Sequence, residues 1–333
     1  MGKILNPILQ PGFEPGTSEL DQLKAIVVPE IFTKYTVQKS VANSSFLRSG
    51  IVQNMAELNA AIQNGGQRVN VPTWYNKAHK AVSVKADDEG NPINSFSSYA
   101  DIACVHVRDL PYGIRDLNTF LAGSDPLGRI TDVYGQDWAV TEEQIILSSL
   151  KGIFGLADMK DSIVGGATSV LDSKLMNKAM FALGDKFTEI GAIAMHSQVL
   201  AKLRELNLID TVMPSAVNAP LTYSGKEIIV DDTLVPESAG VYPIYFFGKG
   251  AFGFAENTGM STVEMDRDIL THQTVVNSTR AFILHPLGVA YTAPASTTGE
   301  TPSDADLENS ANWTLVDDRK NVAITKLICK LDA

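Results

Sequence analysis

Apolar residues recur along this chain with two different periods, and the switches between them outline helices and strands in irregular succession. Residues 67–110 open on a strand-like alternation, Val69 and Val71, before Pro72 and Trp74. They close on a second, Cys104-Val105-His106-Val107. Between the two lie Lys77, Lys80 and Lys85, then Asp87-Asp88-Glu89-Gly90-Asn91-Pro92. Turn residues at the middle of a two-strand pattern predict a long loop that folds back on itself. Its charged tip has no apolar residues from which to build a core. Such a loop either packs on something else or remains a surface hairpin.

A helical period takes over at Leu127–Phe154. Leu127, Ile130, Tyr134, Trp138, Ile145, Ile146, Leu150 and Ile153 form an apolar stripe that is broken at Glu142. Ser124-Asp125-Pro126 supplies a start signal, and Gly152 and Gly155 weaken the far end. At about 1.5 Å per residue this helix would span about 42 Å. The pattern predicts further helices at Asp172–Gly184 and Met195–Leu206, with a small apolar strand at Ile190–Ala194 between them. Strands are expected at Lys226–Asp232, Val241–Phe247, Arg280–Pro286 and Asn321–Leu331, and a strand start at Arg48-Ser49-Gly50-Ile51. Residues 1–20, punctuated by Pro7, Pro11 and Pro15, read as an extended arm. Thr297–Asn312, acidic and rich in Ser and Thr, reads as a solvated loop. Strand and helix alternate irregularly and no repeat of fixed period is visible, which places the chain in the α+β class.

Composition narrows the functions. A net charge of −11 disfavours tight, phosphate-neutralising binding of nucleic acid. The sequence has neither a basic-then-apolar leader nor an apolar run of about 20 residues, so neither export nor a membrane span is expected. Cys104 and Cys329 lie far apart in apolar surroundings and read as small buried side chains. The five histidines are too scattered for a local metal pair. His285 reads as a satisfied strand histidine, and His196-Ser197 as a helix cap. Gly248-Lys249-Gly250-Ala251-Phe252-Gly253 matches G-x-G-x-x-G after a strand. The next residues, Phe254-Ala255-Glu256-Asn257-Thr258-Gly259, are poor helix formers, so a turn is the better reading than a dinucleotide site. Asp231-Asp232 and Asp317-Asp318 point to opposite faces if extended, and read as strand ends. No catalytic, cofactor or metal residues are assigned.

Several stretches, taken in order, resemble the major capsid proteins of tailed phages with the Hong Kong 97 fold. They are Pro29-Glu30-Ile31-Phe32, Ser49-Gly50-Ile51, Val71-Pro72-Thr73-Trp74 and Leu150-Lys151-Gly152-Ile153-Phe154. The similarity continues through Ala192-Ile193-Ala194-Met195-His196-Ser197, Ile228-Ile229-Val230-Asp231-Asp232 and Phe247-Gly248-Lys249-Gly250-Ala251-Phe252. It extends to Asp266-Arg267-Asp268, Arg280-Ala281-Phe282-Ile283-Leu284-His285-Pro286 and Asn312-Trp313. Each piece is weak, and the register of all of them together carries the resemblance.

The resemblance implies an N-terminal arm at 1–45, the start of a P-domain at 46–66 and an extended E-loop at 67–108. It implies a P-domain with a long spine helix at 109–155, an A-domain at 156–270 and a return to the P-domain at 271–333. The implied function is self-assembly into hexamers and pentamers of an icosahedral head around dsDNA, formed in the host cytoplasm. Its partners would be other copies, a scaffolding protein, a portal and a decoration protein, with DNA met non-specifically. Because the chain begins at the arm, scaffolding would come from a separate protein or a cleaved segment. Candidate inter-subunit contacts are Phe32, Arg48, Trp74, Lys77, Lys80 and Lys85. The three lysines are also the loop candidates for the covalent cross-link that some members make. The competing expectations are an encapsulin-like compartment, a cytoplasmic nucleotide-binding enzyme and a minor virion or tail component.

Overall fold

The computed structural model describes residues 44–74, 98–115, 127–211, 221–268, 270, 272–294 and 301–332. The chain enters through a short helix α1 (Ser45–Arg48), strand β1 (Val52–Asn54) and helix α2 (Ala56–Gln63). Strands β2 (Arg68–Trp74), β3 (Ser98–Cys104) and β4 (His106–Arg115) precede the long helix α3 (Leu127–Phe154). Next come β5 (Ile163–Val170), α4 (Ser173–Met180), β6 (Ile190–Met195), α5 (Ser197–Glu205), β7 (Asp210–Thr211), β8 (Leu221–Tyr223) and β9 (Lys226–Val230). The remainder is β10 (Val241–Gly248), β11 (Phe252–Glu256), β12 (Thr262–Asp268), β13 (Gln273–Pro286), β14 (Val289–Tyr291), α6 (Asp304–Glu308), β15 (Trp313–Leu315) and β16 (Ile324–Lys330).

Among the described residues two sheets dominate. The larger runs β5-β16-β10-β6-β9-β8-β7. Its interior strand β10 is buried along its whole length, so its alternate side chains fill two different cores. Tyr245 and Phe247 join the core that contains α3. Tyr242, Ile244 and Phe246 join the one beneath α4 and α5. The smaller sheet is organised by β13, fourteen residues long. One edge of β13 pairs with β4, from Phe282↔His106 to Gln273↔Arg115. The other edge is shared by β11 and β12. Pairing therefore cuts across residue 270, since β11 and β12 lie with β13 while β16 lies inside the other sheet.

Three local readings change. Ser45–Arg48 is a helical turn rather than a strand start, because the Ser44 hydroxyl caps the amide of Leu47; the strand begins at Val52. Helix α4 stops at Met180, and the chain continues in 3-10 turns with Gly184 at φ 65°. The acidic segment expected to be a solvated loop holds α6. Ser303 and Asp306 form a reciprocal capping box there, and Leu307 is fully buried against α3.

Candidate assembly site

The spine of the molecule is α3 lying across β13, joined by polar contacts inside an apolar core. Tyr134 donates from its hydroxyl to the Val276 carbonyl at 2.7 Å, and Trp138 Nε1 donates to Ser278 Oγ at 3.1 Å. Arg280 projects from β13 and is almost completely enclosed. Its Nη1 donates to Glu142 Oε1 at 2.8 Å and its Nε to Glu256 Oε1 at 2.9 Å. Its guanidinium also lies over the rings of Trp138 and Phe282. The break in the helix stripe is thus a buried ion pair that fixes α3 on the sheet. Part of the sequence signal was present, since Glu142 breaks the helix stripe, but nothing in that stripe named Arg280 as the partner.

The hairpin β2–β3 is rooted beside this spine. Its strands pair antiparallel from Arg68↔Cys104 to Trp74↔Ser98. Val69, Val71 and Ala103 pack with Leu58, Ile62 and Ile283. Asp101, buried in β3, accepts from His285 Nε2 at 2.9 Å and from the Gly288 amide at 2.9 Å. One carboxylate thereby ties the hairpin to both ends of the turn that follows β13. His106, the first residue of β4, is also buried, with Nε2 3.5 Å from Cys104 Sγ. Burial, aided by the charges of Arg108 and His285, pushes its pKa down to about 3, so the ring is neutral. Burial likewise pushes the Cys104 and Cys329 thiols up to about 12, consistent with inert packing residues.

Ser44 and Ser45, at the start of α1, are held on the same helix. Ser44 Oγ and the Ser45 amide both donate to Glu143 Oε1, at 3.0 and 3.2 Å. Burial raises the Glu143 pKa, the bonds from Ser44 and Ser45 oppose this, and Asp231 and Glu142 add to it. Consecutive residues 142 and 143 thus carry two tasks, one on the sheet and one at the start of α1.

The predicted contact residues fall unevenly on this frame. Arg48 lies exposed in the last turn of α1, just past Ser44 and Ser45. Trp74 closes β2 opposite Ser98. Phe32, Lys77, Lys80 and Lys85 lie outside the described residues. His196 caps α5, accepting from the Gln198 amide at 3.0 Å, and Asp231-Asp232 follow the end of β9. The Gly-rich stretch is a turn from β10 into β11. Gly250 adopts φ +67°, its amide donates to the Gly50 carbonyl at 3.0 Å, and a strand comes next in place of a helix. The nucleotide-binding enzyme therefore loses its structural basis, since the pyrophosphate site needs that helix. Among the described residues there is no cluster of metal-ligating side chains, and no helix is long and apolar enough to cross a membrane.

Comparison with known proteins agrees with this frame. The family model described as major capsid protein 13-like matches residues 143–323. The major capsid protein of Bacillus phage SPP1 is 32% identical over 323 residues, covering 94% of this chain and 99% of that one. The solved capsid of Ralstonia phage GP4 superposes with a TM-score of 0.57 at 10% identity, over 87% of this chain and 92% of that one. The head structure of Helicobacter pylori bacteriophage KHP40 gives 0.53 at 11% identity, over 87% and 91%. At such identities the two structures establish the fold, which is the Hong Kong 97 type.

A long helix pinned across a β-sheet, with a hairpin rooted beside it, is here the frame of a phage shell-building protein. The chain belongs to the major capsid protein 13-like family. It is a structural component of the virion capsid and associates with copies of itself. This membership favours the phage shell over the encapsulin-like compartment.

Proposed function

We propose that the protein forms hexamers and pentamers that close into an icosahedral head around dsDNA, and that it does so without catalysis. In this reading 1–45 is the arm, 67–108 the E-loop, and 46–66, 109–155 and 271–333 the P-domain. Residues 156–270 are the A-domain. The observation that carries the reading is the double anchorage on α3 and β13. Asp101 fixes the loop's root and Glu143 the arm's root on one rigid element. Fixed roots give segments that reach a neighbour a defined direction, and contacts of one patch with a different patch close into rings. Extensions shared between subunits bring each interface to about 2,000 Å² or more. Phe32, Arg48, Trp74, Lys77, Lys80 and Lys85 are the proposed contacts.

The net charge of −11 suits a wall that holds DNA without adhering to it. A scaffolding protein, a portal and a decoration protein complete the proposed partners, with assembly in the host cytoplasm. Electron microscopy of the recombinant chain, alone and with a co-expressed scaffold, tests the reading. Closed shells with five- and six-fold capsomers are expected. A chain that stays monomeric under both conditions would overturn it.

A further inference from the structure

Strands β3 and β4 are one bent strand, broken at the single residue Val105. Before the break β3 pairs with β2, and after it β4 pairs with β13. The ladder between β4 and β13 ends at Phe282↔His106, so His106 is its last rung and stands at the joint between hairpin and body. The hairpin packs on the body through a small apolar cluster, in which Val69, Val71, Ala103 and Val105 meet Leu58, Ile62 and Ile283. The His106 ring is fully buried at this joint, against Phe282. Its Nδ1 has no hydrogen-bond partner among the described residues, and its Nε2 faces the Cys104 sulfur, a weak acceptor. The charges that bear on the ring are cationic, Arg108 on β4 and, once protonated, His285 on β13. Asp101 of β3 is already engaged by both His285 Nε2 and the Gly288 amide. Arg68 of β2 and Tyr291 of β14 lie beside the adjoining Cys104.

A neutral imidazole fits this setting. An imidazolium, with two N–H donors and a full charge, does not. The ring can take its second proton only where the last rung has parted and water reaches it. We propose that the hairpin root is an acid-opened joint, in which protonation of His106 frees β2–β3 while the body stays folded. The linkage has a definite sign. In the closed root the ring titrates at about 3, and in the opened root near 6.5. Between those values opening takes up a proton, so the open fraction rises as pH falls, by up to about tenfold per pH unit. From pH 7 to pH 5 the rise is about 25-fold. The body does not follow, because opening costs only the small cluster and the bonds of Asp101, while the two larger cores keep their packing. The consequence for a lattice rests on the shell reading: the direction of the hairpin is fixed at neutral pH and released in acid. The opening itself belongs to the single subunit.

The two cysteines supply the test. Cys104 is buried beside His106 and is uncovered when the joint opens, whereas Cys329 is buried in the core beneath α4 and α5. The unassembled full chain is labelled with dithiodipyridine at pH 7 and pH 5, and peptide mapping assigns the label. Each rate is divided by that of free cysteine at the same pH, which removes the titration of the thiol itself. The Cys104 ratio is expected to rise by about 25-fold in acid, with the Cys329 ratio unchanged. In His106→Phe the Cys104 rise should disappear. If that variant does not fold, His106→Gln, also neutral over this range, takes its place. Three results would overturn the joint: no rise at Cys104, an equal rise at Cys329, which means that the whole subunit unfolds, or a rise that persists without the histidine. None of these readouts needs a shell. Failure of the joint therefore leaves the shell reading standing, and failure of the wild type to form shells leaves the joint.

Discussion

Glu142 and Arg280 show how a buried charge pair can act as a locator rather than as a source of stability. Enclosing both ions costs a large fraction of what their attraction returns, but removing one leaves the other uncompensated. Glu142→Gln should therefore destabilise the subunit by about 3 kcal/mol in urea denaturation. A change within about 0.5 kcal/mol, the size of an ordinary surface substitution, would mean that the pair does not hold the helix. His106 makes a pH prediction. The unfolded ring titrates near 6.5, while the folded one is held at about 3. Between those values the unfolded state binds a proton that the folded state refuses, so stability falls as pH drops. The slope is up to about 1.4 kcal/mol per pH unit. The raised pKa of Glu143 works the other way, since protonation relieves its buried charge. His106→Phe should shrink the gap in melting temperature between pH 7 and pH 5, and an unchanged gap would remove His106 as its cause. Single residues were the least legible scale in the sequence. The broken stripe at Glu142 was visible, but its partner lies 138 positions away. Asp101 gave no signal at all, because an acid in a short strand looks like a solvated one.

At the scale of elements the pattern was far more readable. The long helix spans Leu127–Phe154 as its stripe indicated, and strands β6, β9, β10 and β16 match their apolar runs. Helix α6 was not read, because a five-residue helix is too short to show a period and its acids resemble solvated loop. Its capping box was the available signal. The helix also explains Gly152. A Cβ at that position would stand 2.6 Å from Trp313 Nε1 and closer still to the Leu307 carbonyl. Gly152→Ala raises helix propensity by about 1 kcal/mol. The clash should nevertheless make the variant less stable, with overpacking costing about 1–3 kcal/mol. Leu307→Ala, emptying the same seam from the other side, should cost about 2–5 kcal/mol. Calorimetry of both variants checks the seam. If either melts with the wild type, α6 is not a fixed part of the body.

For the whole molecule, the relationship to phage capsid proteins was legible from many weak stretches in register, and the fold bears it out. Sheet membership was not, because strand partners are set by packing between distant segments. β16, near the chain's end, lies between β5 and β10, a placement that no local pattern encodes. We propose that a self-sufficient body carries segments that act on other copies. The register Trp74↔Ser98 allows a direct test, since an Asn-Gly turn can replace residues 75–97 and close the hairpin at that pair. The measurement is sedimentation velocity of this shortened chain beside the wild type, under conditions in which the wild type forms closed shells. A folded subunit with an unchanged melting temperature that sediments only as small species is expected. Closed shells from the shortened chain at the wild-type yield would contradict it.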